Sequence, residues 1–216
     1  MTFPIFSYDL FASGAYYLFL FGLIFLDLPR FGLSAIARAL FQPHRNPKNQ
    51  NFKPRISVVI ASHNGARCIQ DVIQAINNQS YPADEIILVD DGSTDGTANI
   101  IQLAHEKNHI TMAIFHQRRC GKSASVNHAV RFTTGDLILN IDDDTVLAKD
   151  AIEQILQVFV DENTAIASGA LTVRNTETSL VTSLQTIEYQ LSMAGGRSFL
   201  DLFGAMPCCS GAFSMF

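Results

Sequence analysis

The stretch EIILVDDGSTDGT, residues 85–97, decides the fold of this chain. It joins an apolar, β-branched run to a turn made of Asp, Gly and Ser, after which a helix pattern begins near residue 95. A continuous apolar run of this kind is typical of a strand that is buried on both faces of a parallel sheet. The stretch therefore predicts one strand–turn–helix unit.

The same unit recurs on both sides of this stretch. The predicted strands lie at residues 55–62, 85–90, 110–116 and 135–142, and the predicted helices at 69–76, 95–107, 122–132 and 150–160. We expect the last helix to start with a capping box formed by Asp150 and Glu153. Alternation of this kind predicts an α/β domain with a mostly parallel sheet and flanking helices.

Composition narrows the class of protein. The 216 residues are 48% hydrophobic and 16% charged, which is enough apolar material for a sizeable core. The net charge of −5 gives no basic footprint, so we expect no nucleic-acid partner. The four cysteines follow no metal-binding spacing and indicate reduced thiols rather than a disulfide framework.

The first 53 residues form a separate region in the sequence. Residues 10–28, LFASGAYYLFLFGLIFLDL, contain one acid and are long enough to predict a single membrane-spanning helix. A buried hairpin or a signal-peptide core is the alternative, but no basic residue precedes the run and no convincing cleavage site follows it.

The charges that flank this run predict its orientation. Basic residues begin only at Arg30, so the positive-inside rule places the N-terminus outside and the rest of the chain in the cytoplasm, on the inner or plasma membrane. Residues 31–41 predict an amphipathic helix at the membrane surface, and residues 42–53 a linker. The second domain is expected to span residues 54–216.

Polar side chains cluster where three of the predicted strands end. They are Ser62, His63 and Asn64, then Asp90 and Asp91, and finally Asp142, Asp143 and Asp144. Ordinary polar loops would explain part of this pattern. Carboxylates after two separate strands fall at one edge of a parallel sheet, where such sheets bind ligands, and they favour a functional site.

Four motifs in this order resemble the family 2 glycosyltransferases. They are ISVVIASHN, ILVDDGSTDGT, GKSASVNHAV and GDLILNIDDDTVLAKDAI, and the similarity runs from about residue 54 to the end. The resemblance implies a GT-A fold and an inverting transfer of sugar from a UDP-sugar or another nucleotide sugar to a glycan or lipid-linked acceptor. The hydrophobic N-terminal run and residues 188–213 look most like the membrane-anchored, processive synthases of poly-N-acetylglucosamine, hyaluronan, chitin or cellulose.

The resemblance also implies roles for single residues. It places the nucleoside against Ser62, Asn64, Asp90 or Asp91, the diphosphate near Lys122 and Asn127, and a divalent cation, Mg²⁺ or Mn²⁺, on Asp142 and Asp144. Asp142 would then contact the donor as well as the metal. Asp143 is expected to be more dispensable, because alternate residues of an extended strand point to opposite sides.

The general base of the family has no counterpart in this sequence. In the family it belongs to a TED-like motif, and processive members also carry QxxRW, whereas this chain contains no Trp. We expect the base to lie beyond Phe216, since nothing in the spacing supports Glu188 or Asp201 as a substitute. The alternative is a truncated, non-catalytic remnant that binds nucleotide sugar.

A dinucleotide-dependent enzyme is a further class with this fold. It requires a G-x-G-x-x-G turn after the first strand, and the turn here reads SHNGAR. The sequence therefore disfavours it.

Overall fold

The computed structural model describes residues 52–160, 163–174, 179–192, 200 and 208–216, with scattered positions between 14 and 40. By its contacts the chain divides into two compact units, one of Met1–His44 with Leu171–Pro207 and the other of Arg45–Ala170 with Cys208–Phe216. The sheet lies in the second unit. The first contains a helix over Leu180–Leu191 whose start is a capping box of Ser179 and Thr182.

The second unit alternates strands and helices along most of its length. Its strands are β1 (Ile56–Ser62), β2 (Glu85–Asp90), β3 (Met112–Phe115), β4 (Leu137–Asp142), β5 (Ala167–Ser168) and β6 (Phe213–Met215). Its helices are α1 (Ile69–Asn77), α2 (Thr97–Glu106), α3 (Lys122–Val130) and α4 (Ala151–Leu156). These elements confirm the predicted α/β class; the predicted bounds of β2 agree with the structure, and no predicted boundary differs by more than four residues.

The order of strands in the sheet is β3-β2-β1-β4-β6-β5. The pairs β1–β2, β1–β4 and β2–β3 are parallel, whereas β6 runs antiparallel to both β4 and β5. The chain builds outward from β1 to β3 and then returns to the other side of β1 with β4. Ligands of open α/β sheets bind at such a reversal, outside the carboxyl ends of the strands.

The core explains why these segments are strands and helices. In β1, Ile56, Val58, Val59 and Ile60 are all fully buried, as expected for a strand with helices on both faces. The predicted apolar stripe of α1 is buried in the same way. Hydrophobic burial on both faces therefore holds β1 at the centre of the sheet, with its carboxyl end at the reversal.

The predicted capping box at the start of α4 is wrong. Asp150 makes no side-chain cap, and Glu153 instead accepts a hydrogen bond of 2.7 Å from the Ser80 hydroxyl. The buried amide of Gln79 replaces the cap, since its oxygen accepts from the backbone N–H of Ile152 at 3.1 Å. A neighbouring chain segment thus satisfies the free N–H group that the local sequence pattern assigned to Asp150.

Most of the predicted membrane helix over residues 10–28 lies outside the described residues. Within the described part of the chain, no helix is long and apolar enough to cross a membrane.

Candidate functional site

The carboxyl ends of β1 and β4 meet through side chains. Ser62, the last residue of β1, donates a hydrogen bond of 2.5 Å to the Asp143 carboxylate. The chain turns at once after β4, with the Thr145 N–H bonded to the Asp142 carbonyl at 3.1 Å. Asp143 therefore belongs to a turn rather than to an extended strand, and it ties the two strand ends together.

Asp142 and Lys122 form an ion pair at this edge. The Lys122 ammonium, at the start of α3, contacts the Asp142 carboxylate and lies 3.4 Å from the Gly211 carbonyl oxygen. The two side chains of the pair are 49% and 29% exposed, so a ligand can reach both. Asp144 is exposed as well, and its carboxylate accepts a hydrogen bond of 3.5 Å from the adjacent Thr145 hydroxyl.

Asn64 connects the loop after β1 to the turn after β2. It adopts a left-handed backbone conformation with φ of 57°. Its N–H donates to the Ser93 hydroxyl and its side-chain oxygen accepts from the Thr94 N–H, both at 2.9 Å. Asn tolerates this conformation better than most residues, so it holds the two polar loops in register.

Asp91 holds the basic loop, defined as residues 117–121 (QRRCG), against the end of β2. Its two oxygens accept backbone hydrogen bonds from Cys120 at 2.8 Å and from Gly121 at 2.7 Å. A third comes from His116, whose Nδ1 lies 3.0 Å away. The carboxylate is only 2% exposed, and its role in the folded chain is to position the loop that leads into Lys122.

These hydrogen bonds control the ionisation of Asp91. Burial alone would raise the pKa, but hydrogen bonds from His116, Cys120, Gly121 and Ser125 outweigh it and lower the pKa from 3.8 to about 2. A carboxyl group whose pKa is lower in the folded than in the unfolded state stabilises the protein at pH values above its unfolded-state pKa. This stabilisation is lost as the pH falls through the folded-state pKa.

We therefore expect Asp91 to contribute about 2 kcal/mol to the free energy of unfolding at neutral pH, lost as pH falls from about 4 to about 2. Urea unfolding at a series of pH values measures this slope. The Asp91→Asn variant should flatten it, and an unchanged slope would contradict the assignment.

Gly92 allows the basic loop to approach the turn after β2. Its φ is +68°, and a Cβ at this position would lie 2.7 Å from backbone atoms of both Arg118 and Arg119. Contacts this short force the backbone of the loop to move.

Gly92→Ala is expected to lower the free energy of unfolding by about 2–3 kcal/mol, because it adds steric overlap to backbone strain. Gly96→Ala is the matched control, since Gly96 also has a positive φ but open space around a Cβ, and it should cost about 1 kcal/mol. Chemical denaturation compares the two, and equal losses would show that the loop contact is unimportant.

Two buried oxygens at this edge lack partners among the described residues. Asp90 is 3% exposed; one of its oxygens accepts from the Ser93 N–H at 3.3 Å, and the other has no hydrogen bond. The side-chain oxygen of Asn140 is likewise unsatisfied, although its amide nitrogen donates to the Gly211 carbonyl at 2.7 Å. Unsatisfied buried oxygens are costly and are common at functional sites.

The sequence-predicted residues occupy one edge of the sheet, with different surroundings. Ser62, Asp90 and Asp91 are buried and hydrogen-bonded within the protein, whereas Lys122, Asp142 and Asp144 face accessible space. Asn127 is exposed on α3.

Sequence reasoning missed the roles of Asn140, Gly211, His116 and His128. The first two meet across 71 residues of chain, so no local signal reveals them. The two histidines are spaced by 12 residues, with Nε2 of His116 2.9 Å from Nδ1 of His128. The sequence did contain one signal for the histidine pair, because His116 directly follows a predicted strand and His128 lies on the next predicted helix.

The acidic residues at the carboxyl end of β4 suit a hard cation. Asp142 and Asp144 offer accessible carboxylate oxygens, the ligand type that Mg²⁺ and Mn²⁺ prefer. Positive charge is already favoured beside Asp142, since Lys122 pairs with it. Asp142–Asp144 do not form a converging three-ligand group; among the described residues only Asp91, His116 and Cys120 do. Two carboxylates with substrate phosphates are nevertheless the usual Mg²⁺ arrangement.

The fold is an α/β domain with a candidate ligand site, this polar edge, at its strand reversal. Residues 57–216 match the family model described as glycosyl transferase family 2. The chain therefore belongs to glycosyl transferase family 2, and it is a glycosyltransferase by family.

Curated relatives support the same family. Hyaluronan synthase of Streptococcus pyogenes is 31% identical over 183 residues, covering 82% of this chain and 43% of the relative. An N-acetylglucosaminyltransferase of Azorhizobium caulinodans is 32% identical over 168 residues (76% and 42%). Poly-beta-1,6-N-acetyl-D-glucosamine synthase of Staphylococcus epidermidis is 30% identical over 162 residues (74% and 39%). The chain thus spans less than half the length of these relatives.

A solved structure shares the fold. The mannosyltransferase of Pyrobaculum calidifontis, in complex with GDP-Man and Mn²⁺, superposes with a TM-score of 0.63 at 20% identity, covering 88% of this chain and 52% of the other. The likeness confirms the GT-A-like fold that the motifs implied.

Proposed function

We propose that this domain binds a nucleotide sugar with a divalent cation and transfers the sugar, with inversion, in the synthesis of a polysaccharide or glycoconjugate. The observation that carries the proposal is the accessible pairing of Lys122 with Asp142 beside Asp144 at the strand reversal. Opposite charges that remain open to solvent at this position suit a ligand that carries both phosphates and a metal ion.

The diphosphate of the donor is assigned to the start of α3. Lys122 is the first residue of this nine-residue helix, and Gly121 precedes it with φ of 94°. The free N–H groups and the positive end of a helix dipole favour phosphate at such a position, and the ammonium adds a full charge. Asn127, exposed on the same helix, is proposed as a further donor contact.

The cation is assigned to Asp142 and Asp144. When bound, Mg²⁺ or Mn²⁺ neutralises the charge that develops on the departing nucleoside diphosphate. We propose that the Lys122 ammonium leaves Asp142 and contacts the phosphates when the donor binds. The cation then replaces Lys122 as the positive partner of Asp142.

The nucleoside is assigned to the ends of β1 and β2. Ser62, Asn64, Asp90 and Asp91 border this place, and Asp90 retains one oxygen without a partner. Asp91 is proposed to act through the basic loop that it holds, since its oxygens are occupied by that loop. A UDP-sugar is the proposed donor, in keeping with the family resemblance, and a glycan or lipid-linked molecule the proposed acceptor.

The proposed reaction also needs a base for the acceptor hydroxyl. Glu188 lies exposed on the helix Leu180–Leu191, in the other unit, and Asp201 lies outside the described residues. We assign the base to neither and propose that it belongs to a segment beyond residue 216.

We further propose that residues 1–53 anchor the catalytic domain, residues 54–216, to the cytoplasmic face of a membrane. Support comes from the apolar run at 10–28 and the basic residues after it. Leu18, Phe21 and Phe25 each expose more than half of their surface. Membrane fractionation with alkaline extraction tests the anchor: the protein should stay with the membranes, and removing residues 1–53 should release it.

Calorimetric titration with UDP and with GDP, each with and without Mn²⁺, tests the donor site. We expect binding to need the cation and to weaken by at least about 10-fold in Lys122→Met, because a charge-assisted contact to phosphate is lost. Lys107→Met, at an exposed lysine after α2, is the matched control and should bind normally. Cation-independent binding, or equal binding by both variants, would contradict the site.

Binding and turnover separate the enzyme from the alternative of a non-catalytic nucleotide-sugar-binding protein. A radiolabelled donor and membrane acceptors measure transfer by the 216-residue chain. Donor binding without transfer would favour the binding protein, whereas robust transfer would establish that a base is present within this chain.

A further inference from the structure

We infer that Asp91, His116 and Cys120 form a second metal site, which takes a borderline-soft divalent ion such as Zn²⁺. One ligand atom from each residue lies within 4.8 Å of the other two, and this is the only such group in the described part of the chain. The proposal goes beyond the donor site, whose cation is hard and bound by carboxylate oxygens.

The three donor atoms match the chemistry of zinc. A carboxylate oxygen, an imidazole nitrogen and a thiolate sulfur are the ligands that Zn²⁺ uses in proteins, at about 2.0–2.3 Å, which places ligand atoms roughly 3.3–3.6 Å apart. Asp91 Oδ1 and His116 Nδ1 are already 3.0 Å apart. A movement of about 1 Å by the exposed Cys120 side chain would bring all three ligand atoms within bonding distance of one ion.

Two of the ligands are held in place by their surroundings. The backbone N–H groups of Cys120 and Gly121 fix the Asp91 carboxylate and leave a lone pair of Oδ1 directed to His116. His116 Nε2 lies 2.9 Å from His128 Nδ1, with the two rings stacked at 5.2 Å. In the metal-bound form, His116 Nδ1 would give up the proton that it donates to Asp91, and the ring would donate its Nε2–H to His128, as a metal-ligating His usually does to a fixed acceptor.

Cys120 supplies the third ligand from an exposed position on the basic loop, and a metal would bind it as the thiolate, with its proton released to solvent. With Asp91, the thiolate gives two negative charges to a divalent ion. The bound ion would therefore hold the basic loop against the end of β2, with three protein ligands and a fourth position left for water.

Cobalt is the probe, because a cysteine thiolate bound to Co²⁺ gives a charge-transfer absorption band that oxygen ligands do not. We expect the purified protein, without nucleotide, to show this band on titration with Co²⁺ and to lose it when Zn²⁺ is added. Cys120→Ser should abolish the band. Cys208→Ser, at another exposed cysteine, is the matched control and should keep it.

A second pair of variants tests the role of His128. His128→Phe removes the acceptor for the His116 ring and should weaken Co²⁺ binding by about 10-fold or more, whereas His128→Gln retains an acceptor oxygen and should lose less. Absence of the band in the native protein, or its persistence in Cys120→Ser, overturns the proposal. The Asp142→Ala, Asp144→Ala double variant should keep the band, so failure of the donor site and failure of this site are distinguishable.

Discussion

Replacing Asp142 with alanine is expected to abolish cation-dependent binding of the nucleotide sugar, with a loss of affinity on the order of 100-fold or more. Asp142 is the acid that both pairs with Lys122 and stands at the strand reversal. Its loss removes a proposed metal ligand, so the cation would be held less tightly and the charge of the phosphates would be less well neutralised. Calorimetry at fixed Mn²⁺ measures the effect.

Stability should change little in the same variant, because a partly exposed ion pair contributes less than about 1 kcal/mol. Asp144→Asn should lose binding to a similar extent, whereas Asp150→Ala, at an exposed acid outside the edge, should bind normally. Asp143→Ala should weaken binding less, through the release of Ser62. If the substitutions at Asp142 and Asp144 both left the affinity for nucleotide sugar unchanged, the acidic cluster would be an ordinary polar loop without a role in binding.

Asp91→Asn is expected to have the opposite profile, with a loss of at least about 3 kcal/mol in the free energy of unfolding. Asparagine keeps one acceptor oxygen, but its NH₂ group would face either the Gly121 N–H or the Cys120 N–H and His116. At least one buried donor is then left unpaired, and the charge that these donors stabilise is gone. Urea denaturation followed by circular dichroism measures the loss.

Asp144→Asn is the matched control for stability, since Asp144 is exposed and should change the unfolding free energy by less than about 0.5 kcal/mol. The two variants thus distinguish Asp91, which is expected to stabilise the fold, from Asp144, which is expected to bind the ligand. A stable Asp91→Asn protein would show that the basic loop does not depend on this carboxylate.

The fold was predictable because its signals are local. Apolar runs such as residues 56–60 become buried strands through composition alone, and the stripe of α1 follows from helical periodicity. The antiparallel placement of β6 between β4 and β5 has no such signal, because it depends on pairing between distant segments. The capping box failed for the same reason: Gln79 arrives from another part of the chain.

The placement of the candidate site residues at one edge of the sheet was predictable, but their contacts were not. The strand-end rule and the family motifs brought Ser62, Asp91 and Asp142 to one edge. They did not indicate that Asp91 holds the basic loop by accepting backbone N–H groups, since adjacent acids such as Asp90 and Asp91 look alike in sequence. Burial and hydrogen bonding distinguish them, and both depend on the position of the basic loop.

The antiparallel strand β6 has a consequence for the order of assembly. Gly211, just before it, supplies the carbonyl that Asn140 and Lys122 contact, and the Ala212 carbonyl bonds to the Asp142 N–H at 3.2 Å. Asn140 and Gly211 are 71 residues apart in the sequence, and contacts between such distant segments form slowly. Nucleotide binding should therefore be the last native property to return on refolding, which makes it a reporter of complete folding rather than of core formation.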